Sequence, residues 1–218
     1  MANKELFIWG ATGQAIVLED FLSTEGYELI GLFDRNVNLS SPFPTIPLFC
    51  DPDSLYLFLD SKPKINYIVA IGGANGLERI RIHETLKAKN YFPISAIHPK
   101  AVLANHVDLG EGAQVLINAT ICARVRTGKS VIINSSASVD HECILGDGVH
   151  IGPGAKIAGC VNIGDNTFVG TGAVVLPKLS IGRGCIIGAG SVVLRNVPDF
   201  SVVVGNPGRV IRQNIAKS

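Results

Sequence analysis

The chain has 218 residues, a formal net charge of +1 and 17% charged residues. This near-neutral balance offers no basic surface for nucleic acid and no acidic tail, so we expect no nucleic-acid partner. The five cysteines are odd in number and lack CxxC spacing, which is typical of small core residues in a reducing compartment. Met1–Gly10 is too short an apolar run for a signal peptide, and no stretch approaches the length of a bilayer span. We therefore expect a cytoplasmic protein without membrane insertion.

Residues 1–96 alternate strands and helices in the manner of a βαβ unit with a parallel sheet. Strands are predicted at Leu6–Trp9, Tyr27–Phe33 and Ile65–Ile71, and helices at Ala15–Leu22, Asp51–Asp60 and Leu77–Lys89. The pattern predicts an α/β, Rossmann-like nucleotide-binding domain of about half a dinucleotide fold. Such a domain suits a mononucleotide or the nucleotide half of an activated sugar.

A glycine-rich turn, Gly10-Ala11-Thr12-Gly13, joins the first strand to the first helix. Its bare backbone amides lie at a helix N-terminus, where a phosphate can bind. Asp34 follows at the end of the next strand, about twenty residues on, where a carboxylate suits a ribose hydroxyl. The motif alone leaves open a tight turn without a ligand.

From Ile97 onward, an aliphatic residue returns every six positions without an insertion, and Thr127 is the one exception. A small or apolar residue lies two positions before each, as Ala113 does before Val115, which is the period of a strand. Gly, Asn, Asp and Ser fill the intervening positions and suit tight corners. This spacing predicts a parallel β-helix of hexapeptide repeats over 97–197, with between five and six coils, and a C-terminal tail at 198–218.

A second period of eighteen residues divides each coil into three unequal faces. The recurring glycines are Gly110, Gly128, Gly146, Gly164 and Gly182 on one corner and Gly152, Gly170 and Gly188 on another. Residues eighteen apart should therefore stack in adjacent coils, about 4.8 Å from each other. The usual crossover rule predicts right-handed coils, so the period itself does not establish handedness.

The segment Val139-Asp140-His141-Glu142-Cys143 places three polar residues at the corner without glycine. Gly159 follows His141 by eighteen residues, so its backbone N–H should lie one coil from the imidazole. A base beside a bare amide suits acyl transfer, because the base takes a proton and the amide stabilises an oxyanion. Glu142 can orient the imidazole and stabilise its charged form. The alternative is an exposed corner histidine without a function.

Over nearly its whole length, the chain resembles the sugar-nucleotide acetyltransferases of the PglD/NeuD type. The resemblance rests on the small α/β domain, on VDHECILGDGVHIGPGAKIAGCVNIGDNTFVGTGAVVLP and on the closing VVVGNPGRVIR. In the closing segment, Gly208 and Arg209 replace Ala-Lys of the family's Gly-x-Pro-Ala-Lys tail. The resemblance implies a left-handed β-helix and a homotrimer with active sites at subunit interfaces. It also implies acetyl-CoA bound between adjacent β-helices and a nucleotide-linked amino sugar held by the N-terminal domain.

The resemblance implies roles for individual residues. His141 matches the general base, Glu142 the acid that orients it, and Gly159 the glycine whose amide contacts the thioester carbonyl. The residues expected to bind the sugar nucleotide are Gly10, Gly13, Asp34, Arg35, Gly72, Gly73, Asn75, Asn134 and His150. The residues expected to bind acetyl-CoA are Gly159, Gly170, Gly188, Pro207 and Arg209. Gly13-Gln14-Ala15 replaces the family's frequent Gly-His-Gly, so an imidazole is lost from this turn.

The predicted reaction is transfer of acetyl from acetyl-CoA to the amine of a nucleotide-linked amino-deoxy sugar, such as a 4-amino-4,6-dideoxy sugar used in surface glycans. One alternative is O-acetylation of a free sugar such as a sialic acid, and another is a non-catalytic β-helix scaffold. A metal-dependent lyase is a third alternative. His141 and His150 lie nine apart and face different corners without a third clustered ligand, so we expect no metal site.

Overall fold

A computed structural model describes residues 4–62 and 64–214, and the chain divides into two compact units. The first unit comprises Met1–Ile71 and Arg81–Ala96, and the second comprises Gly72–Ile80 and Ile97–Ser218. Residues 1–3 and 63 of the predicted first domain, and 215–218 of the predicted tail, lie outside the described part of the chain. No helix of the described residues is long and apolar enough to cross a membrane.

The first unit is built on a five-stranded parallel sheet. Its strands are β1 (Lys4–Trp9), β2 (Tyr27–Phe33), β3 (Leu48–Phe49), β4 (Asn66–Val69) and β5 (Phe92–Pro93). The sheet order is β3-β2-β1-β4-β5, so the direction of strand addition reverses at β1. The helices are α1 (Gly13–Leu22), α2 (Pro52–Asp60) and α3 (Gly76–Ala88), whose first residues belong to the second unit.

The elements of this unit follow from local signals in the sequence. Asp51 caps α2 by accepting a hydrogen bond from Ser54 N at 2.9 Å, and Pro52 occupies the first helical position. Aromatic and aliphatic side chains share the core, in which the Trp9 and Phe33 rings lie 4.1 Å apart between centroids. The six predicted strands and helices are all found, with bounds that differ by no more than two residues.

The second unit contains the repeated short strands that the six-residue period predicts. They are β6 (Ala96–Ile97), β7 (Val102–Leu103), β8 (Gln114–Val115), β9 (Thr120–Ile121), β10 (Arg126–Thr127), β11 (Ile132–Ile133), β12 (Ser138–Val139), β13 (Ile144–Leu145), β14 (His150–Ile151), β15 (Lys156–Ile157), β16 (Asn162–Ile163), β17 (Phe168–Val169), β18 (Val174–Val175), β19 (Ser180–Ile181), β20 (Ile186–Ile187) and β21 (Val192–Val193). They form three sheets, and each sheet takes every third strand of the regular coils.

The register of the coils confirms the eighteen-residue stack. Ile132 pairs with His150, and His150 pairs with Phe168, in parallel strands of adjacent coils. The interior is filled by aliphatic and small side chains that are almost fully buried. Thr127, the exception in the aliphatic series, uses its hydroxyl to accept from Gly110 N at 3.1 Å and to donate to the Gly128 carbonyl at 3.2 Å.

Both ends of the β-helix depart from the repeat. Ile97 begins the aliphatic series but is 40% exposed, because β6 is the last strand of its sheet and has a neighbouring coil on one side only. The predicted tail contains a hairpin of β22 (Ser201–Val204) and β23 (Arg209–Gln213), and β22 pairs in parallel with β20. The hexapeptide pattern did not predict this hairpin.

Candidate active site

His141 and Glu142 lie at a corner of the β-helix between β12 and β13. Val139 and Cys143, on either side, are fully buried in the interior, so the residues between them face outward. Glu142 has a left-handed φ of 59°. The residues eighteen apart in the same column share that conformation: His106, Arg124 and Cys160 have φ values of 63°, 62° and 58°. The corner therefore turns in the same way in each coil and stacks these side chains in one column.

The Glu142 carboxylate links the imidazole to a cation. Its Oε2 lies 3.1 Å from His141 Nδ1, and its Oε1 lies 3.7 Å from Arg124 Nη1. The His141 and Glu142 side chains are 53% and 51% exposed. Because Glu142 faces Nδ1, it favours the tautomer that carries its proton there and leaves the Nε2 lone pair able to accept a proton. Asp140 accepts from the backbone N of His141 at 2.7 Å and does not contact the ring nitrogen.

Gly159 lies against the other side of the imidazole. A Cβ on Gly159 would lie 2.5 Å from His141 Nε2, so any side chain there would displace the ring. Among the backbone hydrogen bonds of the described chain, none is donated by Gly159 N, whereas its carbonyl accepts from Lys178 N at 3.0 Å. The structure therefore brings together a carboxylate, an imidazole and a bare amide, in the order that the eighteen-residue period predicts.

Cys160 is a neighbour of this group that the sequence analysis missed. Its Sγ lies 4.0 Å from His141 Nδ1 and 3.9 Å from Glu142 Oε2. Because Cys160 follows Glu142 by eighteen residues, the same period was a sufficient signal. Donor atoms of His141, Glu142 and Cys160 lie within 4.8 Å of one another, the one such group in the described chain that is able to hold a metal ion. The carboxylate and imidazole already bond to each other, so their placement is explained without an ion.

His150 lies in β14 and is buried, with 4% of its surface exposed. Burial is the main cause that lowers the pKa of His150 to about 4, the positive charge of Arg79 lowers it further, and a bond to the Gly73 carbonyl opposes the shift. Asn134 Nδ2 lies 3.1 Å from His150 Nε2, and the Gly73 oxygen lies 3.3 Å from Nδ1. These contacts indicate a neutral ring, whose Nδ1 donates to the Gly73 carbonyl and whose Nε2 accepts from Asn134.

Three residues predicted to bind the sugar nucleotide, Gly73, Asn134 and His150, are thus brought together. The segment that contributes Gly73 also holds Gly72 and Asn75, and Asn75 Nδ2 donates to the Gly72 carbonyl at 2.9 Å. Both ring nitrogens of His150 are engaged by the protein. A sugar at this position would therefore meet Asn134 and the Gly72–Asn75 backbone before it meets the imidazole.

The first unit holds the remaining residues predicted to bind the nucleotide. Gly10 has a φ of 116°, and a Cβ there would lie 2.5 Å from the Ala70 carbonyl oxygen, so only glycine fits this turn. Asp34 Oδ2 accepts from Ala11 N at 3.3 Å and so helps to close the turn. α1 begins at Gly13 without a side-chain cap or an acid in its first turn, which leaves its N-terminal end suited to an anion. Arg35 is exposed beside Asp34.

The residues predicted to bind acetyl-CoA are distributed along the coils and the hairpin. A Cβ on Gly170 would lie 2.7 Å from Ala189 N, and one on Gly188 would lie 2.9 Å from Val204 Cγ1. Packing against the neighbouring coil or strand therefore gives these two glycines, predicted to bind acetyl-CoA, a structural reason of their own. Pro207 is exposed in the connection between β22 and β23, and Arg209 is exposed at the start of β23. Arg209 lines a cleft of about 220 Å³.

Two larger clefts flank the histidine corner. Glu142, Arg124 and Arg126 line a cleft of about 500 Å³ together with Asp108, so two guanidinium groups face two carboxylates there. Asp140, Lys156 and Ala158 line a second cleft, of about 360 Å³. The corner therefore lies between two open surfaces of the same β-helix, each large enough for part of a ligand.

Comparison with known proteins identifies the family. The model for the bacterial transferase hexapeptide (six repeats) matches residues 160–195. PerB from Caulobacter crescentus, solved with CoA and GDP-perosamine, is 32% identical, with a TM-score of 0.86 over 95% of this chain and 97% of that one. The acetyltransferase domain of PglB from Neisseria gonorrhoeae FA1090, solved with acetyl coenzyme A, is 30% identical, with a TM-score of 0.85 over 96% of this chain and 100% of that one. The chain belongs to the hexapeptide-repeat sugar acetyltransferases.

This assignment confirms the predicted resemblance and a β-helix of the left-handed type. A GDP-perosamine N-acetyltransferase of Escherichia coli O157:H7 is also similar, with 38% identity over 80 residues. That match spans 37% of this chain and 36% of the relative. Within the family, the roles of individual residues in this chain stay predictions.

Proposed function

We propose that this acetyltransferase moves acetyl from acetyl-CoA to the amine of a nucleotide-linked amino-deoxy sugar. The observation that carries the proposal is the corner where the His141 imidazole, held by Glu142, lies against Gly159, whose amide donates no backbone hydrogen bond within the described chain. The similar structures with CoA and GDP-perosamine, or with acetyl coenzyme A, support the same pair of substrate classes.

In the proposed mechanism, the neutral amine attacks the thioester carbonyl, and His141 Nε2 takes the proton that the new bond releases. Gly159 N–H donates to the oxyanion of the tetrahedral intermediate. Glu142 stabilises the imidazolium while it holds the extra proton. Collapse of the intermediate breaks the carbon–sulfur bond, and the proton passes from His141 to the departing CoA thiolate. The products are an acetamido sugar nucleotide and CoA thiol.

The N-terminal domain, over 1–96, is proposed as a Rossmann-like domain that binds the nucleotide. Its sheet order reverses at β1, and ligands of such sheets bind beyond the carboxyl ends of the strands at that reversal. Gly10 and Gly13 follow β1, and Asp34 follows β2, so a phosphate would lie on the α1 N-terminus with a ribose hydroxyl near Asp34. Gly72, Gly73 and Asn75, in the second unit, are proposed to contact the sugar.

The acetyl-CoA site is proposed for the β-helix of 97–197 and the tail of 198–218. Gly159 would contact the thioester, and Gly170 and Gly188 would border the pantetheine through their backbone. Arg209, with Pro207 nearby, would meet the adenosine end, because its guanidinium lines a cleft and suits phosphate. No metal enters this reaction.

We also propose a cytoplasmic homotrimer with active sites between subunits. Ile144, Leu176 and Leu194 are 44%, 38% and 44% exposed on the β-helix, and such apolar side chains favour packing against another copy. All five cysteines are free, which suits a reducing compartment. Sedimentation analysis tests the trimer, because a monomer at micromolar concentration would contradict it.

Thiol release from acetyl-CoA tests the activity. The acceptors are GDP-perosamine, UDP- and dTDP-linked 4-amino-4,6-dideoxy sugars, and free sialic acid. We expect turnover of one nucleotide-linked amino sugar. Turnover of sialic acid alone would favour O-acetylation, and turnover of none would leave the scaffold alternative.

A further inference from the structure

Arg79, in the first turn of α3, is a fully buried cation within the second unit, with 0% of its surface exposed. Its Nε donates to the Ser130 carbonyl at 3.1 Å, and its Nη2 donates to the Gly148 carbonyl at 2.5 Å. Ser130 and Gly148 lie eighteen residues apart, so one guanidinium joins two adjacent coils at the same corner. Burial lowers the pKa of Arg79 to about 10, which leaves it charged at neutral pH.

The start of α3 makes a second contact with the same column of the β-helix. A Cβ on Gly76 would collide with the Gly148 carbonyl and lie 2.9 Å from Asn166 Cα. Asn166 is eighteen residues beyond Gly148, so the segment rests on three successive coils. With Arg79 at one point and Gly76 at another, the position of Gly72–Ile80 on the coils is fixed.

The same segment contacts His150 through the Gly73 carbonyl. The Gly73 carbonyl, the Asn134 amide and the Phe168 ring surround the imidazole and are uncharged, and Arg79 is the charged group that acts on it within the described residues. A neutral Nε2 accepts from Asn134 Nδ2, while Asn134 Oδ1 accepts from Ser135 N at 2.8 Å. A protonated Nε2 donates instead, so the amide of Asn134 would have to turn and would lose its bond to Ser135.

We propose that Arg79 is a positioning residue, which fixes Gly72–Ile80 on the β-helix so that Asn134, His150 and the Gly72–Asn75 backbone present one fixed surface to the sugar nucleotide. This inference rests on the proposed function for the identity of the substrate. The contacts of Arg79 with the Ser130 and Gly148 carbonyls rest on the structure alone.

The test compares Arg79→Met, Arg79→Lys and Arg81→Met with the unmodified enzyme. Arg81 is an exposed arginine on the same helix and serves as the matched control. Steady-state thiol release gives kcat and the KM values for GDP-perosamine and acetyl-CoA. Histidine NMR signals, assigned by the loss of one signal in His150→Gln, give the titration midpoint of His150.

In Arg79→Met, we expect the KM for GDP-perosamine to rise about tenfold to hundredfold, the scale of a lost charged hydrogen bond. The KM for acetyl-CoA should change less than about threefold. The midpoint of His150 should move up by part of its shift, because burial, the larger cause, remains. The KM for GDP-perosamine should become pH-dependent below neutrality. Arg79→Lys should keep the low midpoint, because it keeps the charge, with an intermediate KM. Arg81→Met should match the unmodified enzyme.

An unchanged His150 midpoint and an unchanged KM for GDP-perosamine in Arg79→Met would overturn the proposal, as would equal increases in both KM values. If Arg79→Met does not fold, Arg79→Lys serves as the test. An unchanged KM for GDP-perosamine in Arg79→Lys would show that the contact with the two carbonyls is not needed. If the unmodified enzyme turns over no sugar nucleotide, the proposed function fails. The NMR titration would still show whether Arg79 lowers the pKa of His150.

Discussion

Two histidines of the β-helix, His141 and His150, show how one scaffold creates opposite environments. His141 lies at an open corner beside a carboxylate, with its side chain 53% exposed. His150 lies inside β14, 4% exposed, beside the cation Arg79. A general base must gain and lose a proton in each turnover, which an anion and solvent access favour. A positioning residue must keep one charge state, which burial and a cation favour. We therefore predict that His141 affects the chemical step and that His150 affects the orientation of the substrate.

Removing the imidazole of His141 should have the largest effect. Because the three atoms nearest to a Cβ on Gly159 all belong to the His141 imidazole, His141→Ala should lower kcat about 10² to 10⁴-fold. Thiol release at saturating substrates measures the loss. His106→Ala removes an exposed histidine from the column that contains Arg124, Glu142 and Cys160, and it should keep full activity. Full activity in His141→Ala would show that another group takes the proton.

Adding one methyl group at Gly159 should have the next largest effect. Gly159→Ala places its Cβ 2.5 Å from His141 Nε2 and displaces the base from the amide. We expect kcat to fall about 10² to 10³-fold, because a displaced imidazole loses much of its general-base catalysis. Gly172→Ala is the control, because its Cβ meets nothing within 4 Å and its φ of 65° adds only backbone strain. Equal activity of the two variants would contradict close contact at Gly159.

Neutralising Glu142 should have a smaller effect on the same step. Glu142→Gln keeps the shape but removes the charge that stabilises the imidazolium, and we expect kcat to fall about tenfold to hundredfold. Asp140→Asn is the matched control, because Asp140 bonds to the backbone of His141 and not to the ring nitrogen. If Asp140→Asn loses as much activity as Glu142→Gln, the carboxylate beside the ring has no special role.

His150 should affect stability instead of the chemical step. Its pKa falls from 6.5 to about 4 on folding, so the unfolded chain binds the proton first as the pH decreases. The stability from a neutral His150 is therefore complete above pH 6.5 and is lost as the pH falls towards 4, up to about 3 kcal/mol. Urea unfolding at several pH values measures this slope, which should be shallower in His150→Gln and unchanged in His106→Gln. An equal slope in all three proteins would contradict a buried neutral imidazole.

Most of the β-helix could be predicted from the sequence, because the eighteen-residue period shows which residues lie beside each other in adjacent coils. Residues eighteen apart pair in adjacent coils, so the contact of His141 with Gly159 followed from counting. The same count leads from Glu142 to Cys160 and to Arg124, but neither residue type had drawn attention. The hairpin of β22 and β23 lies beyond the last repeat, where the period no longer applies.

The burial of Arg79 could not be predicted from the sequence pattern. A helical period predicts which face of α3 is apolar, but the burial of Arg79 depends on carbonyls of Ser130 and Gly148, which are distant in sequence. For Gly170 and Gly188, a missing side chain has two explanations, a ligand or a neighbouring strand. The positions of Ala189 N and Val204 were needed to show the second.

The most direct test of the account is the position of the acetyl group in the product. The enzyme is incubated with acetyl-CoA and the nucleotide-linked amino sugar that it turns over, and the isolated sugar nucleotide is examined by mass spectrometry and NMR. We predict one acetyl group, bound to the sugar nitrogen as an amide, and no product with His141→Ala at the same enzyme concentration and time. An acetyl ester on a hydroxyl, or amide formation at an equal rate by His141→Ala, would contradict the central claim.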